Sequence, residues 1–270
     1  MKKYCLIGER LDYSLSPLMH NSLFSLTGMD ASYHNLECKP DELEAVAQRL
    51  RSEYSGANVT VPYKTAIIPY LDEVTGNAKQ CGAVNTIINC DGRLIGDCTD
   101  GEGFIKALGI DLKDKRVLLL GSGGAARAIL VAIINQGGIV DVLNRNRENA
   151  VAMLNSISRE GVDTFKARVV QEPLLDYSVT VNATPAGSVK YPDQIPNIPR
   201  DIKKAGYVYD CVYSPNPTKL LARAKENGNE CQNGLSMLLW QGVLAQWRWG
   251  NSFNKEIIDK VYSIMEENNK

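Results

Sequence analysis

The sequence predicts an α/β protein built on a parallel sheet with helices on both faces. Three observations predict it. Short apolar runs alternate with longer amphipathic segments along nearly the whole chain, the pattern of successive βα units. One such unit, RVLLLGSGGAARAILVAI at 116–133, joins an apolar run to a long apolar helix through a tight glycine turn. Pro17, Pro40 and Pro62 each stand where a helix is read to begin, after a preceding strand. The 270 residues suffice for two domains or one large α/β domain.

Lys3–Gly8 reads as the first strand. A helix follows over Pro17–Leu26, with Ser16 as N-cap and Pro17 at the first helical position. Ser32–Glu37 is a strand, and Pro40–Leu50 a helix with acids in its first turn. NVTVPYK at 58–64 alternates polar and apolar as far as Val61, then meets a proline. A strand should therefore stop here and a helix begin with Pro62 in its first turn. Asp91-Gly92 between Thr86–Asn89 and Arg93–Gly96 signals a hairpin. The alternation restarts at Arg116–Leu120, Ala125–Asn135 and Ile139–Leu143, with a helix from about Asn149. Strands at Val179–Asn182 and Tyr207–Val212 flank a proline-rich loop, Pro185–Lys204. Helices over Leu235–Trp247 and Lys255–Glu266 complete the pattern.

Composition excludes several function classes. Lys plus Arg is 30 against 31 for Asp plus Glu, so no basic field invites nucleic acid. The most apolar later run, Ala128–Ile134, is far short of the ~20 residues of a membrane span, and MKKYCLIGER holds too short an apolar run for a signal peptide. The protein is expected to be cytoplasmic. Seven cysteines without a CxxC pair signal neither a disulfide framework nor zinc. With only His20 and His34, both read as surface or packing residues, acid–base work falls to Lys, Asp, Glu, Tyr or Cys.

The glycine turn carries the clearest chemistry. Gly121, Gly123 and Ala126 fit G-x-G-x-x-A: a tight turn, a backbone that can approach a pyrophosphate, and a small residue where helix meets strand. The helix N-terminus offers free N–H groups to phosphate. An acid about 20 residues on would suit the ribose of NAD. Asp141 has that offset but falls inside the strand, whereas the strand-end residue is Asn144, followed by Arg145, Asn146 and Arg147. Arginine there suits a 2′-phosphate, which favours NADP over NAD.

Eight motifs then line up in order: SLSP (14–17), NVTVPYK (58–64), GAVNT (82–86), TDGEGF (99–104), GSGGAARA (121–128), NATPAG (182–187), DCVYSP (210–215) and NGLSMLLWQG (233–242). The chain resembles the shikimate dehydrogenase family, quinate/shikimate dehydrogenases included, nearly end to end. The resemblance implies a substrate domain at 1–100, joined by the C-terminal helices at 235–270, and a Rossmann-type doubly wound NADP domain at 101–234. It implies reduction of 3-dehydroshikimate to shikimate with NADPH, within aromatic amino-acid and chorismate biosynthesis. Lys64 and Asp100 match the catalytic pair. Ser14 and Ser16 match the carboxylate site, and Asn58, Thr60, Asn85, Thr99, Tyr213 and Gln241 the surroundings of the ring. Gly121, Ser122, Gly123, Gly124, Ala125, Asn144, Arg145, Arg147, Cys211 and Gly234 match cofactor positions.

Such a reaction leaves an alkoxide that needs a proton, and without a suitable histidine Lys64 can supply it, with Asp100 holding the ammonium. Burial would lower the lysine's pKa and a partner carboxylate would raise it. Glycines at Gly101–Gly103 and Asn233-Gly234 are expected to act as hinges between the halves. The sequence departs from the family's usual pattern at Cys98, Ser188, Cys211 and Gln246, and Trp240 before Gln241 is similar to the quinate/shikimate branch. The alternatives are therefore a quinate/shikimate dehydrogenase using NAD or either cofactor, and a non-catalytic ligand sensor on the same fold. The assembly is expected to be a monomer or a homodimer.

Overall fold

A computed structural model describes residues 1–172, 176–196 and 206–269. β1 (Lys2–Gly8) is buried from Tyr4 onwards, as a strand covered on both faces must be. α1 (Ser16–Thr27) begins one residue before its proline, so Ser16 is its first residue and not its N-cap. The N-cap position belongs to Leu15, whose side chain caps nothing, and the Oγ of Ser14 accepts from the Ser16 N–H at 3.2 Å. The hydroxyl that serves this helix end thus lies two residues earlier than expected. β2 (Ala31–Glu37) pairs parallel with β1. A single 3₁₀ turn over Pro40–Glu42 leads into α2 (Leu43–Glu53), and β3 (Gly56–Val59) joins the other side of β1.

The helix expected after Pro62 does not form. Residues 61–67 are a series of turns, ending in a 3₁₀ turn at Ile68–Tyr70. A helix would need the Lys64 carbonyl for an N–H four residues on. That carbonyl instead accepts from Val84 N at 2.7 Å, and Ile68 N turns to Thr65 O. A tertiary hydrogen bond has outcompeted the local one, and it fixes Lys64 against the segment leading to β5.

β4 (Glu73–Val74) and α3 (Gly76–Cys81) precede the hairpin of β5 (Thr86–Cys90) and β6 (Arg93–Asp97). Asp91 and Gly92 both take positive φ, 52° and 90°, as the tight turn demands. The hairpin makes the first sheet mixed rather than parallel. Its order is β2-β1-β3-β5-β6-β4, with β5 antiparallel to both neighbours.

α4 (Asp100–Leu108) leads to the second sheet. There β7 (Arg116–Leu120), α5 (Gly124–Asn135), β8 (Ile139–Leu143), α6 (Arg147–Arg159) and β9 (Ala167–Val169) build one side. α6 starts earlier than expected because the Asn146 side chain caps it, accepting from Asn149 N at 3.3 Å. β10 (Val179–Asn182), β11 (Tyr207–Asp210), α7 (Lys219–Glu226) and β12 (Glu230–Asn233) build the other. The order is β12-β11-β10-β7-β8-β9 and every pairing is parallel, the doubly wound arrangement. Of the proline-rich stretch, 185–196 is turn and loop, and 197–204 lies outside the described residues.

α8 (Leu235–Arg248) and α9 (Lys255–Asn268) return to the first sheet. Leu239, Val243, Ile258 and Met265 pack on Met19 and Leu23 of α1, and Trp249 donates to Ile87 O at 2.9 Å. One apolar core runs through both sheets by way of α3, α4 and α5; Phe104 meets Tyr209 edge-on at 5.2 Å. The glycines expected as hinges make close approaches. Gly101 and Gly103 lie inside α4, where an added Cβ would stand 2.5 Å from Ala128 O and 2.8 Å from Gln241 N, respectively.

Candidate active site

In each sheet the strand order reverses at a central strand, and a crevice outside the carboxyl ends of the strands is the expected ligand position. The two crevices face each other. A cleft of about 280 Å³ is walled on one side by Ser14, Ser16, Asn58, Thr60, Lys64 and Asp100, with Tyr213 and Gln241. On the other side stand Ala125, Ser188, Cys211 and Gly234, while Leu6, Leu11, Met237 and Leu238 supply apolar surface.

Lys64 and Asp100 meet on this wall as an ion pair, Lys64 Nζ donating to Asp100 Oδ2. Their side chains are 13% and 5% exposed, so the pair is largely desolvated yet reachable from the cleft. Asp100 is the first residue of α4, and its other oxygen accepts from Asn85 Nδ2 at 2.8 Å. Burial is the largest influence on Lys64 and pulls its pKa down; the charge and hydrogen bond of Asp100 outweigh it, and the net direction is up. Lys64 is therefore an ammonium at neutral pH, able to give a proton. Its stem lies against the glycine turn: a Cβ on Gly124 would come within 3.0 Å of Lys64 Cβ.

Asn85 and Thr99 are not on the cleft surface. Both are buried behind Asp100, where Asn85 Nδ2 also reaches Thr99 Oγ1 (3.0 Å) and Gln241 Oε1 (3.2 Å). Thr99 Oγ1 donates to Gln241 O at 2.9 Å. They brace Asp100 and Gln241 from behind. Asn58 lines the cleft with little to spare. Its amide donates to Asn85 O and Thr86 Oγ1, and Tyr33 O–H donates to its oxygen at 2.9 Å. Tyr33 stacks on buried His20 at 4.1 Å, and His20 Nδ1 is 2.7 Å from Gln246 Nε2. Sequence reading missed this Tyr33–His20 support, because an aromatic residue inside a strand looks like ordinary core. Ser14, Ser16 and Tyr213 place three hydroxyls at the α1 end of the cleft. Burial pushes the Tyr213 phenol up to about 12, so it remains a donor.

On the second sheet the glycine turn leaves β7 with Gly121 at φ 111°, a conformation that favours glycine. Ser122 and Gly123 follow, and no side chain caps α5, whose first-turn N–H groups have no intrahelical partners. Gly234 approaches Cys211 so closely that a Cβ would sit 2.1 Å from the Cys211 carbonyl oxygen. Asn144, Arg145 and Arg147 stand at the end of β8, away from the cleft. Asn144 Nδ2 donates to Asn146 O at 2.7 Å, while the exposed Arg145 and Arg147 form no ion pair among the described residues. Asp141 is unavailable to a ribose. It is fully buried, accepts from Arg168 Nε (2.7 Å) and Tyr177 O–H (2.7 Å), and is held below the usual carboxylate range, because those bonds outweigh burial.

A model of the shikimate dehydrogenase substrate-binding domain matches residues 6–87. The shikimate dehydrogenase (NADP(+)) of Geobacillus sp. strain WCH70 is 38% identical, over 93% of this chain and 94% of that protein. The chain belongs to the shikimate dehydrogenase family. Among solved members of similar fold is the shikimate 5-dehydrogenase of Thermus thermophilus in complex with NADP(H) and shikimate. It has a TM-score of 0.86 and is 33% identical, covering 97% of this chain and 99% of that one. The shikimate 5-dehydrogenase of Listeria monocytogenes, in complex with shikimate and NAD, has a TM-score of 0.87 and 33% identity, covering 98% and 96%. Among the described residues of this family member, no helix is long and apolar enough to cross a membrane.

Proposed function

We propose that the chain is an oxidoreductase that catalyses the reversible, NADP-dependent reduction of 3-dehydroshikimate to shikimate. The observation that carries this reading is the desolvated Lys64–Asp100 pair, set on a cleft wall opposite a glycine turn built for a dinucleotide. The residues present suit NADP: the glycine turn and the uncapped α5 for the pyrophosphate, Arg145 with Arg147 and Asn144 for the 2′-phosphate, Cys211 and Gly234 toward the nicotinamide. When bound, NADPH supplies the hydride.

The chain's own residues do the rest. Ser14 and Ser16, with the Tyr213 phenol beside them, hold the substrate carboxylate through neutral donors. Thr60 and Gln241 orient the ring hydroxyls, and Asn58, whose amide is largely committed to protein partners, sets the wall they sit on. Lys64 donates its proton to the oxygen that was the ketone; Asp100 holds the ammonium before the transfer and accepts a hydrogen bond from the neutral amine after it. Asn85 and Thr99 keep Asp100 and Gln241 fixed. In this division of labour, residues 1–100 with 235–270 take the substrate and 101–234 the cofactor, in the cytoplasm.

Purified protein assayed with shikimate and with quinate, each with NADP⁺ and with NAD⁺, tests the reading. Shikimate with NADP⁺ should give the highest kcat/KM. Best turnover of quinate with NAD⁺ would overturn it in favour of the other branch, and no turnover of either acid would favour a ligand sensor.

A further inference from the structure

β10 and β11 end side by side at Asn182 and Asp210, which are paired across the ladder. Asp210 is fully buried, and its carboxylate accepts three hydrogen bonds. Asn182 Nδ2 (2.8 Å) and Val212 N (3.1 Å) donate to Oδ1, and Thr218 Oγ1 (2.6 Å) donates to Oδ2. All three donors are neutral. Burial pushes the carboxyl from 3.8 up to about 6, although the three bonds pull it down. Above pH 6 its charge therefore costs the fold stability, a cost that disappears as pH falls toward 3.8. Stability gives no reason for an acid at this place; the three bonds do.

Those bonds reach segments that wall the cofactor side of the cleft. Asn182 shapes the loop after β10: its Oδ1 accepts from Thr184 N (3.0 Å) and Thr184 Oγ1 (2.6 Å), and its amide also donates to Ala186 O (3.3 Å). That loop lies against the glycine turn, where a Cβ on Gly121 would stand 3.1 Å from Ala183 O, and it runs on to Ser188 in the cleft. Val212 makes the second connection. Its N–H binds Asp210, its carbonyl accepts from Gly234 N at 3.3 Å, and it lines the cleft beside Cys211. Thr218 makes the third, its hydroxyl capping α7 by accepting from Leu221 N at 3.2 Å.

We propose that Asp210 is a positioning residue for the cofactor: by tying the 183–188 loop to the Cys211–Val212 segment, it presets the wall that receives the nicotinamide. Asp210 does not itself line the cleft, so it acts through these neighbours. In Asp210→Ala, the Asn182 amide, the Val212 N–H and the Thr218 hydroxyl lose their common acceptor, and the two segments are free to move apart. In Asp210→Asn, the remaining oxygen still serves Asn182 and Val212, and the new amide donates to Thr218 Oγ1. The arrangement then survives without the charge.

This role rests on the proposed NADP-dependent reaction, so cofactor binding is measured apart from turnover. Calorimetric titration with NADPH gives Kd, hydrogen exchange of the ligand-free protein reports the loops, and shikimate oxidation at saturating NADP⁺ gives kcat and KM. Asp210→Ala should raise Kd for NADPH about tenfold, as follows when the binding-competent arrangement falls to about a tenth of the population. Faster exchange should concentrate at 183–188, 211–213 and the first turn of α7, and KM for shikimate should stay near wild type. Asp210→Asn should restore nearly wild-type Kd. Asn182→Ala frees the loop while leaving Thr218 on Asp210, and should weaken NADPH binding in the same direction; it decides the matter if Asp210→Ala does not fold. An unchanged Kd in the folded variant, or an equal loss in Asp210→Asn and Asp210→Ala, overturns the positioning role. A wild type that binds no NADPH overturns the cofactor reading and this role together. A wild type that binds NADPH, shows the expected losses in the variants and yet does not oxidise shikimate overturns the reaction and supports the assignment of Asp210.

Discussion

Lys64 is the residue on which the proposed chemistry turns, and its environment dictates how it should fail. Lys64→Ala should cut kcat by about 10²–10⁴, as removal of a proton-transfer group does, while KM for shikimate stays near wild type. A many-fold rise in KM at constant kcat would make Lys64 a binding residue. Asp100→Ala should also slow turnover, and the double variant should lose less than the product of the two losses, because the groups share one hydrogen bond. The raised pKa gives the pH dependence a sign. Shikimate oxidation needs Lys64 neutral to accept a proton, so kcat/KM in that direction should climb with pH through the neutral range; a plateau near pH 7 would contradict the Asp100-stabilised ammonium. His20 behaves in the opposite sense. Burial lowers its pKa to about 3, so the folded protein keeps it neutral where the unfolded chain, with an ordinary value of 6.5, takes up a proton. Stability from this group is complete above 6.5 and is lost as pH falls toward 3. At about 1.4 kcal/mol per pH unit, the stability lost between pH 6 and 4.5 should be smaller by roughly 2 kcal/mol in His20→Asn than in wild type. Urea unfolding at the two pH values measures it, and equal slopes for the two proteins would place the proton uptake elsewhere.

At the scale of single elements, α4 offers a test in which the sign of the effect decides. A helix interior normally gains up to about 1 kcal/mol when glycine becomes alanine. At Gly101 the new Cβ would sit 2.5 Å from Ala128 O, so Gly101→Ala should instead cost about 1–3 kcal/mol by overpacking against α5. A stabilised variant in urea would mean that the two helices slide apart freely. The end of β8 bears on the cofactor. Arg145→Ala should lose most of a preference for NADP⁺ over NAD⁺ of at least about tenfold, since a charge-assisted phosphate contact is worth ~1.5–3 kcal/mol; kcat/KM with each cofactor reads it, and a wild type that favoured NAD⁺ would refute the assignment. What could be read in advance follows from the range of the forces involved. Apolar runs, the Asp91-Gly92 turn and the glycine turn are local, and the corresponding β1, β7, α5 and hairpin emerge close to the expected bounds. Where the sequence misled, a distant partner intervened. Val84 took the carbonyl a helix after Pro62 would have used. β12, of sequence ECQN, and the short β9 are edge strands with little apolar patterning, made visible only by the strands they join. The cleft hydroxyls were legible as motif residues, but that Asn85 and Thr99 stand behind Asp100 depends on the fold.

On the scale of the whole molecule, the parts of the cleft come from positions far apart in the chain: Ser14 and Ser16, Lys64 and Asp100, Tyr213 and Gln241. Alternation along the sequence announces two sheets, yet the opposition of their crevices follows from α4 and α5 packing through a common core, which no local pattern encodes. The return of α8 and α9 to the first sheet also sets an order of events during synthesis. Met19, Leu23, Tyr4 and Phe24 face helices that leave the ribosome after both sheets have been made. Nascent proteins ordinarily consolidate from the N-terminal end. Here the second sheet, whose strands all lie within 116–233, can close while the first still lacks its covering helices. A chain stopped at Gly234 should therefore protect amides of 116–233 from hydrogen exchange and leave much of 2–97 open; slow exchange in β1 and β3 of that fragment would refute the order. Until Trp249, at the end of α8, reaches the Ile87 carbonyl, the first sheet waits for helices made after the whole of the second, an interval in which holdase chaperones would find its apolar faces.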